Sequence, residues 1–176
     1  DLRFGKVVRL SQGKGERQTV YGDNPEIVAQ KWIQQGAKWL HVVNLNGAFG
    51  EDTELNESVI KNIVQAGKNK VNIQLGGGIR ELDQVNKALT LGVSRVVLGT
   101  AVIEDPSFGI AAIKTFGAHK IAFGFDALGD ELMSRGWKSH SGLSMTALAE
   151  TLAGAGAQTL IYTNILKDGM ETGVDW

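Results

Sequence analysis

Asp1 and Asp126 are the residues whose type and setting best suit acid–base chemistry. Asp1 precedes Gly5 and a short extended stretch, and Asp126 precedes Gly129 and another. Carboxyls at equivalent places in a repeat can share proton transfer, one donating while the other accepts. Taken singly, either would be a helix cap or a loop acceptor; the repeat-related pairing favours catalysis. A second chemistry lies in Leu75-Gly76-Gly77-Gly78-Ile79-Arg80, where a buried strand runs into three glycines and a helical pattern opens at Glu81. Backbone N–H groups without side chains in the way approach an anion closely, and a helix N-terminus favours negative charge. Arg80 adds a forked cationic donor that suits phosphate. Val96-Val97-Leu98-Gly99-Thr100-Ala101 is a second strand ending in small residues. Gly-Gly-Gly alone is equally a tight turn; with Arg80, Gly99 and Thr100 it reads as two sides of a phosphate cradle.

Other polar residues fall after strands: Asn44, Thr163, Asn164 and, shortly beyond, Asp168. Trp137 sits in a Gly-rich excursion after Asp126, where it either stacks on a flat aromatic substrate or anchors the loop. His41 lies mid-strand and reads as a satisfied interior histidine rather than a base. Arg9 pairs with Asp1 or contacts substrate. Trp32 and Trp39 read as core.

The elements that must hold these residues alternate. Lys6–Leu10 is extended in character, and a polar, Gly-rich loop runs from Ser11 to Gly22. Asn24-Pro25 starts a helix, with Asn24 as N-cap, that Gly36 closes. Trp39–Leu45 reads as a buried strand, Asn46–Asn56 as a polar loop, and Val59, Ile60, Ile63 and Val64 as one face of a helix ending at Gly67. Strand Val71–Leu75, a helix to Gly92, strand Val96–Leu98 and a helix capped by Asp105-Pro106 follow. Strand Ile121–Phe125 delivers Asp126, Ala127–Ser141 is an excursion, Ser144 caps a helix over Met145–Leu152, and Thr159–Thr163 is a strand. Strict β–α alternation with near-continuous apolar strands implies a parallel sheet covered by helices.

Gly36-Ala37-Lys38-Trp39-Leu40 through Asn44 is echoed by Gly156-Ala157-Gln158-Thr159-Leu160 through Asn164. A barrel of two half-barrels accounts for such an echo. By length alone an open doubly wound sheet fits better, since a closed (β/α)₈ barrel takes about 250 residues. The first βα turn, however, lacks a dinucleotide fingerprint. In either architecture function lies beyond the carboxyl ends of the strands.

The 176 residues are 43% hydrophobic, enough for one sizeable core. Net charge is -1 with acids and bases interspersed, so no nucleic-acid stripe or basic membrane helix stands out. There is no cysteine, which excludes thiolate catalysis and disulfides. No apolar run reaches membrane-spanning length. These features fit a cytoplasmic protein.

Several stretches match a known family in its own order. They are Asp1-Leu-Arg-Phe-Gly-Lys-Val-Val-Arg-Leu, Val20-Tyr21, Leu40-His41-Val42-Val43-Asn44-Leu45, Gly76-Gly-Gly-Ile-Arg80 and Gly99-Thr-Ala101. Asp126 with Gly136-Trp137, and Tyr162-Thr163 with Lys167-Asp168-Gly169, complete the set. The chain resembles the histidine-biosynthesis isomerases that convert ProFAR, a phosphoribosylformimino aminoimidazole carboxamide ribotide, to its ribulosyl isomer PRFAR. The sister cyclase family shares the barrel and phosphate turns, but its usual cysteine near the first strand is absent. The resemblance implies an α/β TIM (β/α)₈ barrel of two half-barrel repeats, here lacking the first strand and the last two βα units. Residues 1–176 then form a single partial domain, with 1–120 the first half-barrel and 121–176 the start of the second. It implies an Amadori rearrangement with no cofactor and no metal, acting on a small phosphoribosyl substrate with two phosphates. Neither nucleic acid nor membrane is an expected partner, and the complete protein is expected to be a monomer. Carried over, Asp1 matches the base and Asp126 the acid, with Asp168 a rival acid and Thr163 a supporting hydrogen-bonder. Arg9, His41, Arg80 and Trp137 match substrate-contacting positions, and Gly77, Gly78, Gly99 and Thr100 the first phosphate site.

The chain departs from the family in two ways. The second phosphate site would lie on the seventh and eighth strands, which the chain lacks, so a truncated protein or the visible part of a longer one is expected. Asn44, Asn46 and Asn164 stand where the family usually carries aspartates, which removes charge but keeps hydrogen bonding. Two alternatives stay open: a non-catalytic barrel fragment or phosphate-binding half-barrel that assembles through its open sheet edges, and an isomerase that also accepts phosphoribosyl anthranilate.

Overall fold

The computed structural model describes residues 1–11, 14–134 and 139–168. The chain begins with β1 (Leu2–Arg3), β2 (Lys6–Ser11) and β3 (Lys14–Gly22), followed by α1 (Pro25–Gln34) and β4 (Trp39–Val43). Then come α2 (Leu45–Phe49), α3 (Glu54–Gly67), β5 (Asn72–Gly76), α4 (Leu82–Leu91), β6 (Arg95–Leu98) and α5 (Thr100–Glu104). α6 (Pro106–Phe116), β7 (Ile121–Leu128), β8 (Glu131–Ser134), β9 (Ser139–Ser144), α7 (Met145–Gly154) and β10 (Leu160–Asn164) complete the order. The fold is α/β, and the chain divides into two compact units: Asp1–Arg9 with Gln18–Val97, and Leu10–Arg17 with Leu98–Trp176.

In the first unit β4, β5 and β6 run parallel, with Val43 opposite Gly76 and Leu75 opposite Val96. Ile73, Leu75, Val96 and Val97 of this sheet are buried, as are Ile60, Ile63, Val85 and Ala88 of the helices that connect its strands. Helix starts follow local chemistry. Asn24 accepts from the Ile27 N–H ahead of Pro25, and Glu81 and Gln84 form a reciprocal capping box on α4.

In the second unit β10 lies parallel to β7, with Thr163 opposite Asp126. β8 and β9 form an antiparallel hairpin that continues from β7. Phe123 and Leu152 are fully buried. Gly109 lets α6 sit close to β7, since a Cβ there would stand 2.9 Å from the Phe123 ring. Asp130, in the turn between β7 and β8, reaches Ser144 Oγ at 2.5 Å and the Thr146 N–H at 2.9 Å. These bonds hold its carboxyl below the usual aspartate range and tie the hairpin to the start of α7.

Several expectations are corrected. Ser11–Gly22 holds strand β3 rather than a loop, because β2 offers it a pairing edge. The excursion after Asp126 is largely the β8–β9 hairpin. The stretch after β4 and the small-residue turn after β6 each close into a short helix. Trp32 and Trp39 are 52% and 43% exposed rather than core, and Trp39 lies under the Arg95 guanidinium, 4.4 Å from its ring centre.

Candidate functional site

In the first unit, Leu2 bridges in parallel fashion to Asn44, the residue at which β4 passes into α2. This sets Asp1 just before that bridge, with its carbonyl accepting from the Val8 N–H at 2.9 Å. Three asparagines secure the arrangement. The Asn56 amide nitrogen donates to Leu2 O at 3.0 Å, Asn44 Oδ1 at 2.8 Å and Asn46 Oδ1 at 2.9 Å. Its own oxygen accepts from the Gly5 N–H at 2.8 Å. Asn46 also accepts from the Phe4 N–H at 2.9 Å and donates to the Asp52 carbonyl at 2.8 Å. All three asparagines are buried, and each is paired, as buried amides require. Arg3 adds a salt bridge to Glu51 at 2.6 Å, with its guanidinium over the Phe49 ring at 4.9 Å.

The glycines beyond β5 face this same region. The Asn44 N–H donates to the Gly76 carbonyl at 2.8 Å. Gly77 (φ 98°) and Gly78 (φ 79°) adopt left-handed backbone conformations, and a Cβ on either would collide with backbone of Asn44 or Gly47 at 2.2 Å. The missing side chains therefore serve packing against α2, whatever else they admit. Arg80 is exposed, and its backbone N–H donates to Gln84 Oε1 at 2.7 Å. Its guanidinium has no partner among the described residues. Arg9, on β2, is likewise exposed and without a side-chain partner among the described residues.

His41, Gln74 and Arg95 stand in register on β4, β5 and β6. The Gln74 amide nitrogen lies 2.5 Å from His41 Nδ1, and Gln74 Oε1 accepts from Arg95 Nε at 3.1 Å and from a second guanidinium N–H. Burial, and then the nearby positive charge of Arg95, push the His41 imidazole below the usual histidine range.

In the second unit, Asp126 and Thr163 are register partners at the carboxyl ends of parallel β7 and β10. The turn after β10 is organised by Asn164, whose carbonyl accepts from the Lys167 and Asp168 N–H groups at 3.0 Å. Asp168 is exposed there. Gly99 precedes Thr100 at the start of α5, and a Cβ on Gly99 would lie 3.3 Å from the Gly124 carbonyl of β7. Trp137 lies outside the described residues.

The structure thus sets Asp1, Asn44, Gly77 and Gly78 around one strand end of the first unit, and Asp126, Thr163 and Asp168 around strand ends of the second. Sequence reasoning missed Asn56, Gln74, Arg95 and the Arg3–Glu51 pair. Only period-2 alternation on three successive strands could have flagged Gln74 and Arg95. Among the described residues no group of His, Asp and Glu is arranged to hold a metal. No helix there is long and apolar enough to cross a membrane.

Parallel strands joined by helical connections, with polar residues at the strand carboxyl ends, define a protein of the α/β class. A family model described as "Histidine biosynthesis protein" matches residues 1–176. A protein of Rhizobium rhizogenes is 44% identical over 176 residues, all of this chain and 69% of that protein. It is named 1-(5-phosphoribosyl)-5-((5-phosphoribosylamino)methylideneamino) imidazole-4-carboxamide isomerase. An isomerase of the same name from Acinetobacter baylyi is 42% identical over 175 residues, 99% of this chain and 71% of that protein. The chain belongs to the histidine biosynthesis protein family.

Proposed function

We propose that this chain is the larger part of a ProFAR isomerase, an intramolecular aldose–ketose isomerase of histidine biosynthesis built on a TIM barrel. The observation that carries this is the 44% identity to a protein named as that isomerase across the whole of the chain. The reaction moves protons and changes no net oxidation state, so paired carboxylates suffice in principle and no redox cofactor is required. In this reading Asp126 protonates the ring oxygen of the aminoribosyl group, and the C1′–O bond opens to a protonated Schiff base. Asp1 removes the C2′ proton, giving an enolamine. Proton return to C1′ and loss of the C2′ hydroxyl proton yield the ketose.

The parallel pairing of Thr163 with Asp126 supports Thr163 as a hydrogen-bonder to the acid, with Asp168 the competing donor on the adjacent turn. Arg9, Arg80, His41 and Trp137 are assigned to substrate. Gly77, Gly78, Gly99 and Thr100 are assigned to one substrate phosphate, where exposed Arg80 supplies charge. The test is conversion of ProFAR by the purified full-length protein. Formation of PRFAR is the expected result. Absence of turnover by a folded protein would overturn the reading.

A further inference from the structure

The row His41–Gln74–Arg95 carries an inference about how His41 is used. Arginine can only donate hydrogen bonds, so the Gln74 oxygen must face Arg95. The Gln74 NH₂ group is thereby turned toward His41 Nδ1. A donor facing Nδ1 demands a lone pair there, which puts the imidazole proton on Nε2. A doubly protonated ring would set N–H against N–H. The charged group acting on His41 is the Arg95 guanidinium on β6, a cation that opposes imidazolium. Gln74 is buried, which keeps water from competing for its amide, whereas His41 retains exposed surface.

We propose that Arg95 and Gln74 are positioning residues that lock His41 as the neutral Nε2–H tautomer, so that it presents a fixed N–H donor to an acceptor atom of the substrate and has no lone pair free to act as a base. The donor role rests on the isomerase reading; the tautomer lock does not. In this arrangement the proton transfers remain with the carboxylates, and His41 contributes to binding alone.

The test combines nitrogen-15 NMR of the histidine rings with steady-state kinetics on the full-length protein. The His41 signals are assigned by their loss in His41→Asn. The expected wild-type spectrum is a single Nε2–H tautomer whose ring protonates only below pH 6.5, the ordinary histidine value. Arg95→Met keeps an apolar side chain on Trp39 but frees the Gln74 amide to turn over. Its oxygen then accepts from Nδ1–H, and a large Nδ1–H population is expected, with KM raised severalfold and kcat within about twofold. Arg95→Lys, which again donates to the Gln74 oxygen, is expected to restore the wild-type tautomer. A wild-type His41 carrying its proton on Nδ1, or titrating as an ordinary histidine, would overturn the lock even if Arg95→Met did not fold. An Arg95→Met spectrum identical to wild type would do the same. A changed tautomer with unchanged KM would overturn the donor role. Loss of turnover in the wild type would count against the isomerase reading and leave the tautomer result standing.

Discussion

Gly77 approaches Asn44 so closely that a Cβ on Gly77 would stand 2.2 Å from the Asn44 carbonyl oxygen. The same turn bars a side chain from Gly47, whose Cβ would lie 2.8 Å from the Gly77 carbonyl. The strand end that carries Gly77 and the helix that begins at Asn44 are therefore interlocked through bare backbone. Gly77→Ala must move one of them and must also place alanine at φ 98°. It is expected to destabilise the protein by at least about 3 kcal/mol in urea unfolding. Gly154→Ala, where nothing lies within 4 Å, is the control and should change stability by less than about 1 kcal/mol.

Asn56 ties the start of the chain to the end of β4 through one amide. Asn56→Ala leaves the Gly5 N–H without its acceptor and takes a donor from Leu2 O, Asn44 Oδ1 and Asn46 Oδ1 in a buried setting. A loss of about 2–4 kcal/mol is expected. Because Leu2 and Asn44 meet at the same point, turnover should fall as well, even in conditions where the variant is folded. Unaltered turnover would mean that the asparagine cluster does not hold Asp1 in place.

The Arg3–Glu51 pair gives the fold an acid-sensitive contact. The hydrogen bond from Arg3 holds the Glu51 carboxyl below its ordinary value of 4.5. A depressed carboxyl stabilises the folded state above the unfolded value, and that contribution is lost as pH falls through the folded value. Glu51→Gln is therefore expected to lower stability at pH 7 and to match wild type more closely once the pH has fallen through the depressed folded value. Thermal unfolding followed across pH checks this; a constant difference between the two proteins at every pH would contradict it.

Local chemistry made much of the fold legible. Asn24-Pro25, Asp105-Pro106 and Ser144 announced helices that the structure contains, because capping is decided within a few residues. The apolar runs announced β4, β5, β6 and β7 for the same reason. What was not legible depends on partners distant in sequence. β3 is polar and forms because β2 lies beside it. Trp39 looked like core until Arg95 supplied its covering cation. Gly77 and Gly78 were legible as residues needing open space, but the backbone that fills that space comes from Asn44–Gly47. Asn44 and Asn46 stood out as amides in place of carboxylates. Only the fold shows that Asn56 connects them.

The assignment of base and acid is tested most directly by the turnover of Asp1→Asn and Asp126→Asn in the full-length protein. Each variant keeps the side-chain shape and removes the titrating group. Either change is expected to lower kcat by roughly 100- to 10,000-fold while KM changes little. Turnover near wild type in both variants would contradict the account.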